Sequence, residues 1–492
     1  TTFYATLPEA EVQTYVMGII TSIMLLSLWF WFANWRIRIR LPPPLFLMGI
    51  IVLVGVGALY LFQQALTQNQ DLITFLADME VFPSSFTLPS YVVVTLVLYF
   101  VLRRSLRLSS WIWHTFVIIS IFLLTFHVGY LNPYDMSLYA GPINDALRGM
   151  PLLSYPSTYG FFVILFLAGI FTIVPLSLFH LHIVVAILTT GGFIAFYVLA
   201  NILLKNRGLA FLATVLAISA NWLTGIGYRG SFPQAGILRF GMWYIVALAI
   251  YVEVKSRKWT AIAVALSFFW SFDVGAYVAA SYLMFRWFMS LHASPQKTIT
   301  TFVPHLFETL GAIMGVFLLI SLASPQWHYF WGSTSAFLSG PFLLPLSSSI
   351  IPWLLLVPLV ASICYVLTFE KERNKLLLFT ACYGIFQFMY FVSRSHPNNL
   401  HHVILPSILC LFVLCQRLIK RSPLSTLAAC LLLAYPMTMF TGQGLRNLQS
   451  ENFITTIQTI RAPKGTDQER FGETVNALKA RYGSVISSRQ FG

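Results

Sequence analysis

Charge is what this sequence has least of. Only 9% of its 492 residues are Asp, Glu, Lys or Arg, against roughly 25% in a soluble domain. A chain that is 58% hydrophobic and 16% aromatic cannot cover itself with polar side chains, which excludes a water-soluble fold of this length. Cysteine is scarce as well. Cys364, Cys382, Cys410, Cys415 and Cys430 lie inside or at the edge of apolar segments, with no CxxC spacing and no ligand-like pairing with histidine, so neither a disulfide framework nor a zinc site is expected. There is no Walker, Rossmann or Gly-rich phosphate loop and no internal repeat, which removes support for ATP-driven transport and for nucleotide-sugar use on a soluble domain. The first apolar run is preceded by no charged leader and no small-residue cleavage site, so it is expected to act as its own insertion signal.

What is present is a series of apolar runs of about 14 to 27 residues divided by short basic clusters. Fourteen spans are predicted, near 12–34, 44–63, 89–103, 111–129, 178–204, 208–226, 237–254, 259–272, 274–290, 306–324, 349–368, 375–393, 403–416 and 423–441. Residues 160–176 read as a buried or interfacial helix. The net charge of +14 is then an orientation signal and implies no nucleic-acid partner. With the N-terminus outside, one set of connections holds 19 Lys or Arg, including Arg36, Arg38 and Arg40 at one end, Arg286 and Lys297 midway, and Arg417, Lys420 and Arg421 at the other. The opposite set, tail excluded, holds only Arg148, Arg229, Arg239 and Arg394. That bias fixes the basic loops on the cytoplasmic side. The expected fold is an all-α polytopic membrane protein.

The chemistry-capable residues fall on the outer side. The stretch 130–160, YLNPYDMSLYAGPINDALRGMPLLSYPSTYG, predicts a helix starting near Met136, with Asp135 as its N-cap and an end before Gly149 and Pro151. Asp135 is either a plain cap or a carboxylate at the membrane exit. Asp145, three residues before Arg148, reads equally as half of a surface pair. The turn 393–402, SRSHPNNLHH, combines one fixed cation with neutral donors. Arg394 can bind two phosphate oxygens, and His396, Asn398 and Asn399 can add hydrogen bonds. A plain polar turn with no ligand is one alternative, and nitrogen ligation of a divalent metal by His396, His401 and His402 is the lesser one, since the spacing matches no standard site and no carboxylate is near. Asp273, an ionisable group in an apolar run, is a second-carboxylate candidate beside Asp145. Arg229 could neutralise an anion and so could Arg239, which could also be a snorkelling helix-start residue. His180 and His182 read as buried hydrogen-bonded residues.

The sequence Asn132-Pro133-Tyr134-Asp135, then Tyr139, a short helix, a Gly/Pro break and the aromatic segment YPSTYGFF, resembles the GT-C superfamily of lipid-dependent glycosyltransferases. The likeness covers roughly 110–440 and implies a GT-C-like helix bundle with extracytoplasmic juxtamembrane helices. It implies Asp135 as the catalytic base, Arg394 and His396 on the donor phosphate, and Tyr139, Tyr159 and His401 lining the substrate cavity. Many relatives carry an Asp-Glu pair where this chain has Asp135-Met136. The implied organisation is N-terminal helices over 1–110 outside the usual core, a catalytic core over 111–441 with outer loops 130–177 and 393–402, and a short extracytoplasmic tail over 442–492. The implied partners are a polyprenyl-phosphate-linked sugar, a glycan, lipid or protein acceptor, and membrane lipids, with no firm cofactor. The implied location is the bacterial cytoplasmic membrane, with the active site facing outward. The alternatives are an O-antigen ligase or polysaccharide polymerase, and a non-enzymatic lipid or solute transporter.

Overall fold

A computed structural model describes residues 88–103, 110–126, 133–150, 160–223, 236–252, 257–293, 297–324, 354–369, 374–393, 397–419 and 422–450. Among these residues there is helix and no strand. In chain order the helices are α1 (Leu88–Arg103), α2 (Ser110–Thr125), α3 (Pro133–Leu147), α4 (Phe162–Phe171), α5 (Leu178–Leu204), α6 (Arg207–Ala217), α7 (Ile237–Phe240), α8 (Met242–Val252), α9 (Arg257–Trp270), α10 (Phe272–Ala293), α11 (Thr298–Ala323), α12 (Leu356–Phe369), α13 (Lys375–Ser393), α14 (Pro397–Ile419) and α15 (Pro423–Ser450). Helix satisfies every backbone group within its own segment, which is what apolar surroundings demand.

Four helical segments among the described residues are long and apolar enough to cross a membrane: Leu178–Leu204, Thr298–Leu322, Lys375–Val392 and Asn399–Ile419. Shorter apolar helical stretches, those of α2, α8, α9, α12 and α15 among them, coincide in position with further expected spans but fall short of the length of a crossing. The expected spans 12–34 and 44–63 lie outside the described residues. The 160–176 segment forms α4, only 10 residues long, too short to cross. The expected span 237–254 is two pieces, α7 and α8, parted at Gly241. Arg286, expected in a connection, lies inside α10 and is buried. It donates from Nε to the Tyr282 hydroxyl one turn earlier at 2.9 Å and stacks over the Tyr282 and Phe285 rings. A guanidinium tolerates such a place when a hydroxyl and ring faces replace water.

Short polar side chains start the helices. Ser177 Oγ accepts from His180 N before α5, Asn206 Oδ1 from Leu209 N before α6, and Asn374 Oδ1 from Leu377 N before α13. The end of α3 is a Schellman motif, with Met150 N donating to Asp145 O and Gly149 N to Ala146 O. Gly149 takes φ +74°, a conformation a side chain resists.

The main core joins α5, α6, α8, α10, α13 and α14 through Phe196, Trp243, Tyr282, Phe285, Phe379 and Phe388. Trp243 stacks on Tyr383 with centroids 5.1 Å apart. A smaller core at one end joins α3, α4, the start of α5 and α7 through Tyr139, Ile143, Leu167, Leu181 and Leu238, with Trp270 against it. The outer face of α11 leaves Phe307, Leu310, Met314 and Leu318 exposed. Water would penalise that stripe; acyl chains would not.

Candidate functional site

The residues with chemistry gather at the end of the bundle that holds the smaller core. Trp270, at the end of α9, donates from Nε1 to Leu238 O at 2.6 Å, and Phe161 N donates to Phe269 O at 2.9 Å. These bonds tie the entry to α4, the turn α7 and the α9–α10 junction together. The same junction brings in two charges 34 residues apart in sequence.

Arg239 on α7, which is buried, and Asp273 in the first turn of α10, whose side chain is 13% exposed, form an ion pair. Nε of Arg239 lies 3.4 Å from Asp273 Oδ1, and Nη2 donates to Oδ2. Ser271 Oγ donates to Asp273 Oδ1 at 2.9 Å. Arg239 Nη1 donates to the Tyr390 hydroxyl at 3.3 Å, and its guanidinium carbon lies 4.7 Å from the Tyr390 ring centre. The pair thus fastens α7, α10 and α13. Arg239 is neither a snorkelling residue nor open to an anion, because Asp273 already neutralises it. Asp273, equally, carries no free carboxylate.

Beside the pair is His402 on α14, whose ring stacks on Phe240 at 5.5 Å and tilts against Tyr390 at 6.1 Å. His402 forms part of the wall of a small cavity with Thr189, Gly192, Asn221, Gly236 and Gln387. Asn221 belongs to a π-helical turn, Ile218–Leu223, that continues α6; such turns recur where a regular helix would misplace a functional group. His401 points elsewhere. Its Nδ1 lies 2.7 Å from Ala220 O, and its carbonyl accepts from Asn221 Nδ2 at 2.6 Å. His402, and not His401, faces the cavity, since neighbouring helical positions diverge by about 100°.

The other expected residues are distributed as follows. Asp135 is the third residue of α3 rather than its N-cap, because Pro133, with φ preset for helix, opens the helix three residues earlier than expected. Its side chain lies outside the described residues. Tyr139 is buried in the smaller core and does not line the cavity. Asp145 is half-buried on α3, and Arg148 beyond the helix end is exposed; no ion pair joins these two. Pro397 begins α14, so Asn398, Asn399 and His401 are helical rather than parts of a turn. Asn399 is half-buried, and the Asn398 side chain is outside the described residues. Tyr159, Arg229, Arg394 and His396 also lie outside them. Among the described residues, no three His, Cys, Asp or Glu side chains come together as a metal site. All five cysteines are buried free thiols. The Arg239–Asp273 pairing and the His402 wall carried no signal in sequence beyond residue type.

Compared with protein-family models, curated proteins and solved structures, the chain matches none. Its demonstrated class is therefore the architectural one: among the described residues, helix without strand and four helical segments fit to cross a membrane.

Proposed function

We propose that the chain is an integral membrane glycosyltransferase of the GT-C kind, moving a sugar from a polyprenyl-phosphate donor to an acceptor hydroxyl. The observation that carries this reading is convergence. The helix with Asp135 in its first turn packs on α4 and α5, in the same small core as Leu238 and Trp270. Those two residues adjoin the Arg239–Asp273 clamp and, through Tyr390, the start of α14 that follows Arg394 in sequence. The charge bias of the loops assigns that end to the outer face. The exposed apolar stripe of α11 suits a lipid boundary.

In this reading Arg394, helped by His396, Asn398, Asn399 and Arg229, holds the donor phosphate and stabilises it as it leaves. Asp135 takes the proton of the acceptor hydroxyl while its oxygen attacks the anomeric carbon from the face opposite the phosphate. The bond from that carbon to the phosphate oxygen breaks, polyprenyl phosphate departs, and the configuration inverts. Asp135→Asn is expected to lower transfer in reconstituted membranes by about 10² to 10⁴ and to leave thermal unfolding unchanged. Full activity in that variant would overturn the assignment.

A solute or lipid transporter is the second reading, favoured by the enclosed Arg239–Asp273 pair, since charges inside membrane bundles commonly line transport routes. Uptake into vesicles without any sugar transfer would select it.

A further inference from the structure

Three buried polar atoms around the small cavity have no hydrogen-bond partner: Thr189 Oγ1, Gln387 Oε1 and His402 Nδ1. Three such atoms on residues that line one pocket mark it as a place for a polar ligand. The neighbour of the first shows the contrast. Thr190 Oγ1 bonds Ala186 O one turn back at 3.0 Å and meets Thr125 Oγ1 at 2.9 Å, whereas the Thr189 hydroxyl has no such partner. Gln387 is held in place because Nε2 donates to His402 O at 2.9 Å, which leaves its carbonyl oxygen an acceptor without a donor. His402 is held by its stack on Phe240.

One fixed acceptor, one hydroxyl that gives or takes, and one imidazole nitrogen that gives or takes match a group that both donates and accepts. A phosphate would meet an acceptor at Gln387 Oε1, and a divalent metal would find no carboxylate or thiolate on this wall. Neither suits a wall without a charged side chain. The cavity, about 30 Å³ and partly open, has room for a hydroxyl or hydroxymethyl group. Gly236 follows directly on the segment that contains Arg229, and His402 follows the one that contains Arg394 and His396.

Resting on the glycosyltransferase reading, we propose that Thr189, Gln387 and His402 form a subsite that receives one hydroxyl-bearing arm of the donor sugar and so selects which sugar is transferred. These are specificity residues, apart from the proton transfer at Asp135.

The test uses the full chain in lipid nanodiscs. The probes are polyprenyl-phosphate-linked glucose, galactose, mannose and arabinose, the 6-deoxy forms of the three hexoses, and polyprenyl phosphate alone. The unaltered chain is expected to prefer one sugar over its epimer or deoxy form by about tenfold or more, the weight of a buried hydrogen bond. Thr189→Val, which keeps the shape, and His402→Phe, which keeps the stack, are expected to bring that ratio close to one while polyprenyl phosphate alone still binds. These variants sit on different helices, so one misfolded protein does not decide the result. A preference that survives in both, or an unaltered chain that binds the sugars without preference, overturns the subsite and leaves the transferase reading standing; the cavity then holds ordered water only. An unaltered chain that binds none of the sugar-linked probes removes the donor reading, and the subsite falls with it.

Discussion

Arg239 and Asp273 are each other's solvent. A buried guanidinium and a largely covered carboxylate lose most of their hydration, and the loss is offset only while both are present with their hydroxyl partners. Here Ser271 and Tyr390 complete the set. Asp273→Ala leaves an uncompensated cation among apolar rings and is expected to cost about 3–5 kcal/mol, read as a fall in the unfolding midpoint of the detergent-solubilised protein. Arg239→Met combined with Asp273→Leu removes both charges and is expected to recover most of that loss. A double variant as unstable as the single one would show that the clamp works through shape and not charge. Sequence alone cannot foresee the pair, because each residue reads as an isolated charge in an apolar run.

Helix contacts at this end depend on two glycines for different reasons. A side chain at Gly160 would fall on the carbonyl of Trp270, a backbone atom fixed by the α9–α10 junction. A side chain at Gly192 on α5 would fall on Cδ1 of Ile237, the far end of a side chain on α7. Both Gly160→Ala and Gly192→Ala are expected to destabilise by about 1–3 kcal/mol. Ile237→Val removes the obstructing methyl, so it is expected to rescue Gly192→Ala in thermal unfolding and to give Gly160→Ala nothing. Equal rescue of both would contradict this packing. The boundaries of these helices were partly legible. Uninterrupted apolar runs closed by polar caps marked α5 at 178–204 and α13 at 375–393. The predicted span 403–416 instead belongs to a helix that starts at Pro397, where a proline read as a turn supplies the first helical φ.

The orientation of the bundle rests on charge, and it can be measured. All five native cysteines are buried, so a single added thiol dominates labelling. Arg148→Cys, exposed after α3, is expected to react with a membrane-impermeant maleimide from outside intact cells. Lys258→Cys, exposed at the start of α9, is expected to react only after the membrane is opened. The reverse pattern would place Asp135 and the Arg239–Asp273 end in the cytoplasm and end the proposal of an outward-facing site.

Composition by itself determined that this chain is apolar, because 9% charge leaves nothing to clothe a soluble surface, and the length of its apolar runs pointed to helices, which satisfy their backbone groups within each segment. Periodicity and basic clusters set where the runs fall and which way they point. Only the tertiary structure decided that Arg239 meets Asp273, that His402 rather than His401 faces a cavity, and that Thr189, Gln387 and His402 share it. Those facts depend on the rotation of each helix about its own axis and on which helices become neighbours. Both are settled by the packing of side chains such as Phe240, Trp243 and Ile237, and hydropathy read along a single chain is blind to them.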